Sequence, residues 1–257
     1  MTHDAWNPTQ YERFRDERSQ PFYDLLALVQ PRPGMRVVDL GCGPGDLTAE
    51  LHRRLQARET LGVDSSAAML SKSAALAGEG LRFERGDVAD FAAPQPFDLV
   101  FSNAALQWLP DHAGLLRRLT DAVATDGQLA VQVPANCDHP SHAVAHQVAR
   151  EAPFRDALGG DARGKPVLEP EEYALLLHRL GYREQHVRLQ VYGHRLASRA
   201  DVIEWVKGTL LTDYQRRLPA DLWSRYLERY QERLLPQLED ARPYFYPFKR
   251  ILFWGRR

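Results

Sequence analysis

The strongest structural signal in the chain is the stretch Arg36-Val37-Val38-Asp39-Leu40-Gly41-Cys42-Gly43-Pro44-Gly45. Its β-branched residues predict a short strand, and three glycines at alternate positions follow directly. Glycines at the carboxyl end of a strand allow a tight turn and a close approach of the backbone to a ligand. Leucines at helical spacing over residues 46–56 predict a helix that begins at this loop. Together these elements form the first unit of a nucleotide-type binding site.

The spacing of the glycines indicates which kind of ligand the loop binds. A dinucleotide-binding Gly-x-Gly-x-x-Gly loop needs a glycine at the position that Asp46 occupies here, and a phosphate-binding loop needs a Lys-Ser or Lys-Thr pair that is not present. Asp39 would repel a pyrophosphate but would attract a ligand that carries an amine or a sulfonium. The Asp-x-Gly-x-Gly-x-Gly pattern resembles the first motif of S-adenosylmethionine-dependent methyltransferases.

Acidic or amide residues also follow the next three predicted strands. Asp64 ends the second strand, where a carboxylate can accept hydrogen bonds from both hydroxyls of a ribose. Met69 is either an apolar surface for an adenine ring or an ordinary core residue. Asp87 either binds the adenine amino group or belongs to a turn. We predict a cofactor site formed by Asp39, Gly41, Gly43, Gly45, Asp64, Ser65, Met69, Asp87, Val88 and Asn103.

Strands and helices alternate through the first half of the chain with short connections, which is the pattern of a doubly wound parallel sheet. The terminal stretch 244–254 predicts a closing strand that is antiparallel at the sheet edge. Other strands are predicted over residues 60–64, 81–84, 97–102, 128–133 and 184–192. Further helices are predicted over residues 112–123, 143–151, 170–179, 199–211 and 218–235.

The N-terminal segment predicts a helix that carries both aromatic residues and an arginine on one face. Asn7, followed by proline, is a favourable helix start, and Tyr11, Phe14 and Arg18 then fall on the same side of the helix. The aromatic residues are typical of packing onto the main domain. Arg18 either extends into solvent or points into a site where its guanidinium binds a carboxylate. A second helix is predicted over residues 21–29.

Composition is that of an ordinary globular protein, with 44% hydrophobic and 26% charged residues. No apolar run approaches the length of a membrane span, and the N-terminus lacks an apolar signal region. Cys42 and Cys137 have neither paired nor metal-ligand spacing. We therefore expect a cytoplasmic protein with reduced thiols, no membrane partner and no metal.

The charge balance argues against nucleic acid as a partner. The formal net charge is −1, but residues 1–135 carry 13 basic and 18 acidic side chains, whereas residues 136–257 carry 20 and 16. Solvated helix faces account for this bias, and it also suits an anionic small-molecule substrate.

Several stretches together resemble the trans-aconitate 2-methyltransferase family, which belongs to the class I S-adenosylmethionine-dependent methyltransferases. The most specific is Phe-Ser-Asn-Ala-Ala-Leu-Gln-Trp-Leu-Pro-Asp-His at residues 101–112. The others are residues 6–21, 38–45, 130–134, 140–142 and 248–253. The resemblance implies an α/β fold with a doubly wound, mostly parallel seven-stranded sheet, an N-terminal helical lid and helical insertions in the C-terminal half. We expect a single domain over residues 1–257, with a cap at 1–30, a cofactor-binding core at 31–135 and a substrate side at 136–257.

The resemblance also implies the reaction, in which S-adenosylmethionine methylates a carboxylate of trans-aconitate and leaves S-adenosylhomocysteine. A carboxylate with a pKa of about 4 is already ionised near neutral pH, so no general base is expected. The residues expected to bind substrate are Trp6, Tyr11, Arg18, Gln107, Trp108, Gln132 and His142. His142 also fits an exposed or helix-capping position together with His139. Arg195, Lys207, Lys249 or Arg250 can add a second cationic contact, and each equally fits a solvated surface.

Two other functions remain open at this point. The same fold and cofactor can serve a malonyl thioester on an acyl carrier protein, as in a related biotin-pathway family, and an exposed basic docking surface would favour that acceptor. A non-catalytic S-adenosylmethionine-binding module would be expected to show a damaged glycine motif, whereas the motif here is intact. We expect a monomer that acts on a small polycarboxylate.

Overall fold

The computed structural model describes residues 15–160 and 167–257, with side chains from residue 19 onward, and contains one seven-stranded sheet. The strands are β1 (Arg36–Leu40), β2 (Glu59–Asp64), β3 (Leu81–Arg85), β4 (Phe97–Asn103), β5 (Val123–Pro134), β6 (Glu184–Leu196) and β7 (Tyr244–Arg256). Their order is β3-β2-β1-β4-β5-β7-β6. The first five strands pair in parallel, and β7 pairs antiparallel with β5. The predicted doubly wound, mostly parallel sheet is therefore confirmed.

Helices connect the parallel strands and recur through the C-terminal half. They are α1 (Arg15–Leu26), α2 (Asp46–Leu55), α3 (Ala67–Ser73), α4 (His112–Asp121), α5 (Pro140–Ala149), α6 (Phe154–Ala157), α7 (Pro170–Arg179), α8 (Asp201–Lys207), α9 (Leu211–Arg217) and α10 (Ala220–Leu234). Single 3-10 turns lie at Ala74–Leu76, Val88–Asp90, Leu106–Trp108 and Leu235–Gln237. Within the described ranges, none of these helices has both the length and the apolar character needed to cross a bilayer.

The described chain divides into two compact units. The core unit comprises residues 18–135, 167–190 and 249–257, and the insert unit comprises residues 136–160 and 191–248. Each unit has its own apolar interior.

The core unit is organised by its central strands. Val37 and Val38 of β1 point to opposite faces of the sheet, and both are fully buried. Leu99 and Val100 of β4 are buried in the same way, as expected for a parallel sheet that is covered on both faces. The carboxyl ends of the parallel strands therefore lie at one edge of a rigid sheet.

The insert unit is held together by aromatic residues of α8, α10 and β7. Tyr226 and Tyr230 of α10 are fully buried, and their hydroxyls donate to the carbonyl oxygens of Ala145 and Ser141, both at 2.8 Å. The polar ends of these large side chains are thereby satisfied inside an apolar cluster.

Three predicted element boundaries are wrong. Helix α1 runs through Pro21, where a new helix was expected to begin. Phe22 is fully buried and packs edge-on against Phe101 with ring centroids 5.5 Å apart, and this burial outweighs the amide hydrogen bond that Pro21 cannot make. The predicted start of the N-terminal helix at Asn7 lies outside the described residues.

The other two differences lie after the fourth strand. Helix α4 ends at Asp121, so Val123, predicted to be helical, begins β5 and pairs with Phe97. The helix expected over residues 199–211 is split into α8 and α9. Helix α8 ends at Lys207, and the next residue, Gly208, disfavours continued helix. Neither change affects the sheet edge that carries the predicted site.

Candidate functional site

The glycine loop after β1 is held in place by its neighbours. The amides of Gly41 and Cys42 both donate to the carbonyl oxygen of Val63, at 2.8 and 3.1 Å. Gly41 has a φ of +80°, and a Cβ atom there would lie only 2.2 Å from the Cβ of Ala105. Gly43 has a φ of +57°, and no described atom lies within 4 Å of the Cβ position it lacks. The loop is thus packed tightly at its first glycine and open at its second, as a ligand cradle requires.

Asp64, at the end of β2, closes this loop. One of its carboxylate oxygens accepts a hydrogen bond from the amide of Gly43 at 2.9 Å, and the other accepts one from the amide of Ser66 at 2.8 Å. The sequence predicted a ribose-binding role for Asp64 but gave no sign that it also fixes the loop.

Asp39 gives the loop a second carboxyl group, which is buried, whereas Asp64 is half-buried. Asp39 accepts a hydrogen bond from the hydroxyl of Thr48 at 2.6 Å and is 4% exposed. Burial and, to a smaller extent, the charge of Asp64 raise the pKa of Asp39, the Thr48 hydrogen bond opposes them, and the result is a pKa of about 7. A cation bound nearby would favour the ionised form of Asp39, so the loop is electrostatically suited to a positively charged ligand.

The remaining predicted cofactor residues differ in burial and in their hydrogen bonds. Met69 is buried, as a core residue would be, and its amide donates to the hydroxyl of Ser66 at 3.1 Å. Asp87 is exposed and accepts from the amide of Ala89 at 2.9 Å, so it stabilises a turn. Ser65 is exposed and Val88 is buried. A cofactor role for these four residues stays a prediction.

Three amide side chains meet at the carboxyl ends of β4 and β5. Asn103 and Gln132 are paired in register, and the amide of Ala104 donates to the carbonyl oxygen of Gln132 at 2.9 Å. The side-chain nitrogen of Gln107 donates to the carbonyl oxygen of Ala104 at 2.7 Å. Among the residues that the structure describes, Asn103 Oδ1, Gln107 Oε1 and Gln132 Nε2 are buried atoms without a hydrogen-bond partner. Buried polar atoms of this kind mark a place where a polar ligand can bind.

Arg250 of β7 lies beside this group. It is 5% exposed, and its Nη1 atom donates to Oε1 of Gln132 across 3.3 Å. Of the other three candidates for a second cationic contact, Arg195 is exposed, Lys249 is half-buried and Lys207 forms an ion pair with Glu204 at 2.7 Å. The structure therefore brings Arg250 to the predicted substrate residue Gln132, a choice that the sequence left open.

His112 is a site residue that sequence reasoning missed. It is buried, with one ring nitrogen 3.0 Å from the carbonyl oxygen of Leu106 and the other 2.5 Å from the hydroxyl of Tyr173. Burial lowers its pKa, so the ring is neutral. His112 thereby anchors the turn that carries Gln107 and the half-buried Trp108. Its place as the last residue of the stretch 101–112 was the available signal.

His142 belongs to the insert unit. It is 8% exposed, which corrects the expectation of an exposed residue, and burial lowers its pKa to about 3. One of its ring nitrogens lies 3.0 Å from the hydroxyl of Ser141, which in turn lies 3.0 Å from the hydroxyl of Tyr246. His139 caps α5, as one interpretation of the sequence held.

Three predicted substrate residues lie beyond the structural description. Trp6 and Tyr11 precede the described residues, and the side chain of Arg18 falls outside the described part of α1. Within the described ranges, no group of three or more potential metal ligands is present.

Comparison with known proteins adds sequence and fold relationships. A family model described as a methyltransferase domain matches residues 37–127. The trans-aconitate 2-methyltransferase of Deinococcus radiodurans is 46% identical over 259 residues, which cover 98% of each chain. The YcgJ protein of Bacillus subtilis has a similar structure, with a TM-score of 0.64 at 16% identity, and the match covers 93% of this chain and 98% of that one. An S-adenosylmethionine-dependent methyltransferase from Mesorhizobium loti has a TM-score of 0.51 at 22% identity, with the same coverage.

Proposed function

This chain belongs to the trans-aconitate 2-methyltransferase family, and we propose that it methylates a carboxylate of trans-aconitate to form the monomethyl ester. The observation that carries this proposal is the 46% identity to a trans-aconitate 2-methyltransferase over nearly the full length of both chains. The buried, unpartnered amide atoms of Asn103, Gln107 and Gln132 within the described residues support it independently, because they provide a polar binding surface next to the glycine loop.

The residues of the glycine loop fit S-adenosylmethionine. The open position at Gly43 leaves room for a ligand close to the backbone, and Asp39 and Asp64 supply the negative charge that a sulfonium and an ammonium group favour. Asp64, already held by two backbone amides, would accept the ribose hydroxyls with its remaining lone pairs. Asn103 Oδ1 is an acceptor and suits the ammonium group. When bound, S-adenosylmethionine supplies an electrophilic methyl group and becomes the neutral thioether S-adenosylhomocysteine.

The task of the protein is then to bind and orient the acceptor. A carboxylate is ionised at neutral pH, so it attacks without losing a proton and needs no catalytic base. Alignment of the carboxylate oxygen with the methyl group and exclusion of water are the contributions left to the side chains. Gln132 Nε2 is a buried donor that can hold a carboxylate oxygen, whereas Gln107 Oε1 is an acceptor and suits a donor group of a ligand.

The other substrate contacts are part of the same proposal. The indole of Trp108, on the turn anchored by His112, would cover the acceptor. Trp6, Tyr11, Arg18 and His142 are retained as candidates on the family resemblance alone. The formal net charge of −1 argues against a nucleic acid as the acceptor.

Methyl transfer to a panel of acceptors tests the proposal. The panel contains trans-aconitate, cis-aconitate, citrate, isocitrate and a malonyl-loaded acyl carrier protein, each with the full chain and saturating S-adenosylmethionine. We expect the highest kcat/KM for trans-aconitate and a kcat that is constant between pH 6 and 9, since no base has to be deprotonated. Transfer to the carrier protein alone would replace the proposed acceptor while leaving the cofactor assignment intact.

A further inference from the structure

We propose that Arg250 and Gln132 form a clamp for a carboxylate of the acceptor that does not react. The clamp rests on the proposed function, because it assigns a role to one of the additional carboxylates that a polycarboxylate substrate carries. It explains how the site would distinguish such a substrate from a monocarboxylate.

The two side chains share one face of the sheet. Strands β5 and β7 pair antiparallel, with Gln132 opposite Leu252 and Pro134 opposite Arg250. Residues two apart on a strand point to the same face, so Gln132 and Arg250 are diagonal neighbours on that face. The distance of 3.3 Å between Arg250 Nη1 and Gln132 Oε1 shows that they are in direct contact.

This contact determines which atom of the Gln132 amide remains for a ligand. Since Oε1 of Gln132 accepts from Arg250, the other end of the amide is a donor, and Nε2 is buried without a partner among the described residues. A guanidinium also has donors only. The pair therefore presents donors, one of them on a cation, next to each other in a buried place.

A carboxylate is the group that matches this arrangement. Ionised carboxylates are acceptors only, and charge-assisted hydrogen bonds from arginine to carboxylate are among the stronger ones in proteins. Burial strengthens such a contact, because Arg250 is only 5% exposed and water competes little for it. A lysine at position 250 would keep the charge but lose the planar fork of donors, so the geometry and the charge can be tested apart.

The test uses four full-length proteins: wild type, Arg250→Lys, Gln132→Leu and the control Arg256→Lys. Arg256 is the last residue of β7, paired with Gln128, and its Nη1 atom contacts Gln30 at 3.2 Å. Calorimetry measures the binding of S-adenosylhomocysteine and then of trans-aconitate to the preformed complex. Kinetics are compared for trans-aconitate and for the two analogues in which one of the non-reacting carboxylates is replaced by a carboxamide.

We expect Arg250→Lys and Gln132→Leu to weaken trans-aconitate binding at least tenfold and to leave S-adenosylhomocysteine affinity within twofold of wild type. For the analogue that lacks the clamped carboxylate, each of these two substitutions should lower kcat/KM less than twofold relative to wild type. Equal losses on both analogues, or an Arg250→Lys protein that behaves like Arg256→Lys, would overturn the clamp. If Arg250→Lys does not fold, Gln132→Leu decides the question. A wild-type enzyme that binds trans-aconitate without methylating it overturns the proposed function instead, because the clamp is judged from binding.

Discussion

The carboxylate of Asp64 accepts a hydrogen bond from the backbone amide of Gly43 across 2.9 Å, so the residue that ends β2 holds the loop that follows β1. The second carboxylate oxygen of Asp64 is bound to the amide of Ser66. Two adjacent strand ends are thereby fixed to each other by hydrogen bonds within the protein. Such contacts preorganise a loop for a ligand.

Asp64→Asn should weaken the binding of S-adenosylmethionine by about 1.5–3 kcal/mol, because it removes the charge from the hydrogen bonds to the ribose and the loop. Isothermal titration calorimetry measures this loss, and Asp126→Asn serves as the control. Asp126 is exposed and has a φ of +60°, a conformation that asparagine tolerates well. An Asp64→Asn protein with wild-type affinity would show that the ribose is bound elsewhere.

The two glycines of the loop should respond differently to alanine. Both positions have a positive φ, which costs an alanine about 1–2 kcal/mol, but only at Gly41 would the new Cβ also overlap with Ala105. Gly41→Ala should therefore lower the melting temperature more, and Ala105→Gly in the same chain should restore part of the loss. Gly43→Ala should fold well and lose cofactor affinity, because its Cβ fills the open cradle. Thermal melts combined with calorimetry separate the two effects; equal melting temperatures would contradict the packing argument.

Cofactor affinity should depend on pH through Asp39. The folded protein holds the pKa of this carboxyl at about 7, above its ordinary value of 3.8, so a cation that prefers the ionised form binds more weakly as the pH falls below 7. If binding requires the ionised form, affinity for S-adenosylmethionine should be roughly tenfold lower at pH 6 than at pH 8. Thr48→Val removes the hydrogen bond that lowers this pKa and should move the midpoint to higher pH. A flat profile in both proteins would exclude Asp39 as the titrating group.

Substitutions at His112 and Tyr173 should weaken binding of the acceptor more than binding of the cofactor. Tyr173→Phe deletes the hydroxyl that lies 2.5 Å from His112, which should reduce stability by about 1–2 kcal/mol and raise the KM for the acceptor through the turn that carries Gln107 and Trp108. Because the folded state keeps His112 neutral, stability should fall as the pH drops below the ordinary histidine value of about 6.5. Chemical denaturation at several pH values and acceptor kinetics measure the two effects. A change in cofactor affinity alone would argue against this positioning role.

The sequence predicted the sheet and the glycine loop because both depend on local signals. Strands of buried β-branched residues and glycines at strand ends are visible in a short stretch, and the parallel pairing of the first five strands follows from their regular alternation with helices. The same reasoning could not show that α1 continues through Pro21. That outcome depends on the burial of Phe22 against Phe101, a residue of a distant strand.

The acceptor side of the site depends on contacts between residues far apart in the chain. Gln132 and Arg250 are 118 positions apart and meet only because β7 pairs with β5, so no local pattern could choose Arg250 among four basic candidates. His112 illustrates the same limit, since its partner Tyr173 lies 61 residues away. Burial and pairing, rather than residue type, distinguish these side chains from solvated ones.

A competition experiment directly tests whether trans-aconitate is the preferred acceptor. The full-length protein is given methyl-labelled S-adenosylmethionine together with equal concentrations of trans-aconitate, cis-aconitate and a malonyl-loaded carrier protein, and the labelled products are identified by mass spectrometry. Most of the label should appear in the monomethyl ester of trans-aconitate, with one S-adenosylhomocysteine formed for each ester. Label found chiefly in the carrier protein, or S-adenosylhomocysteine formed without any ester, would contradict this prediction.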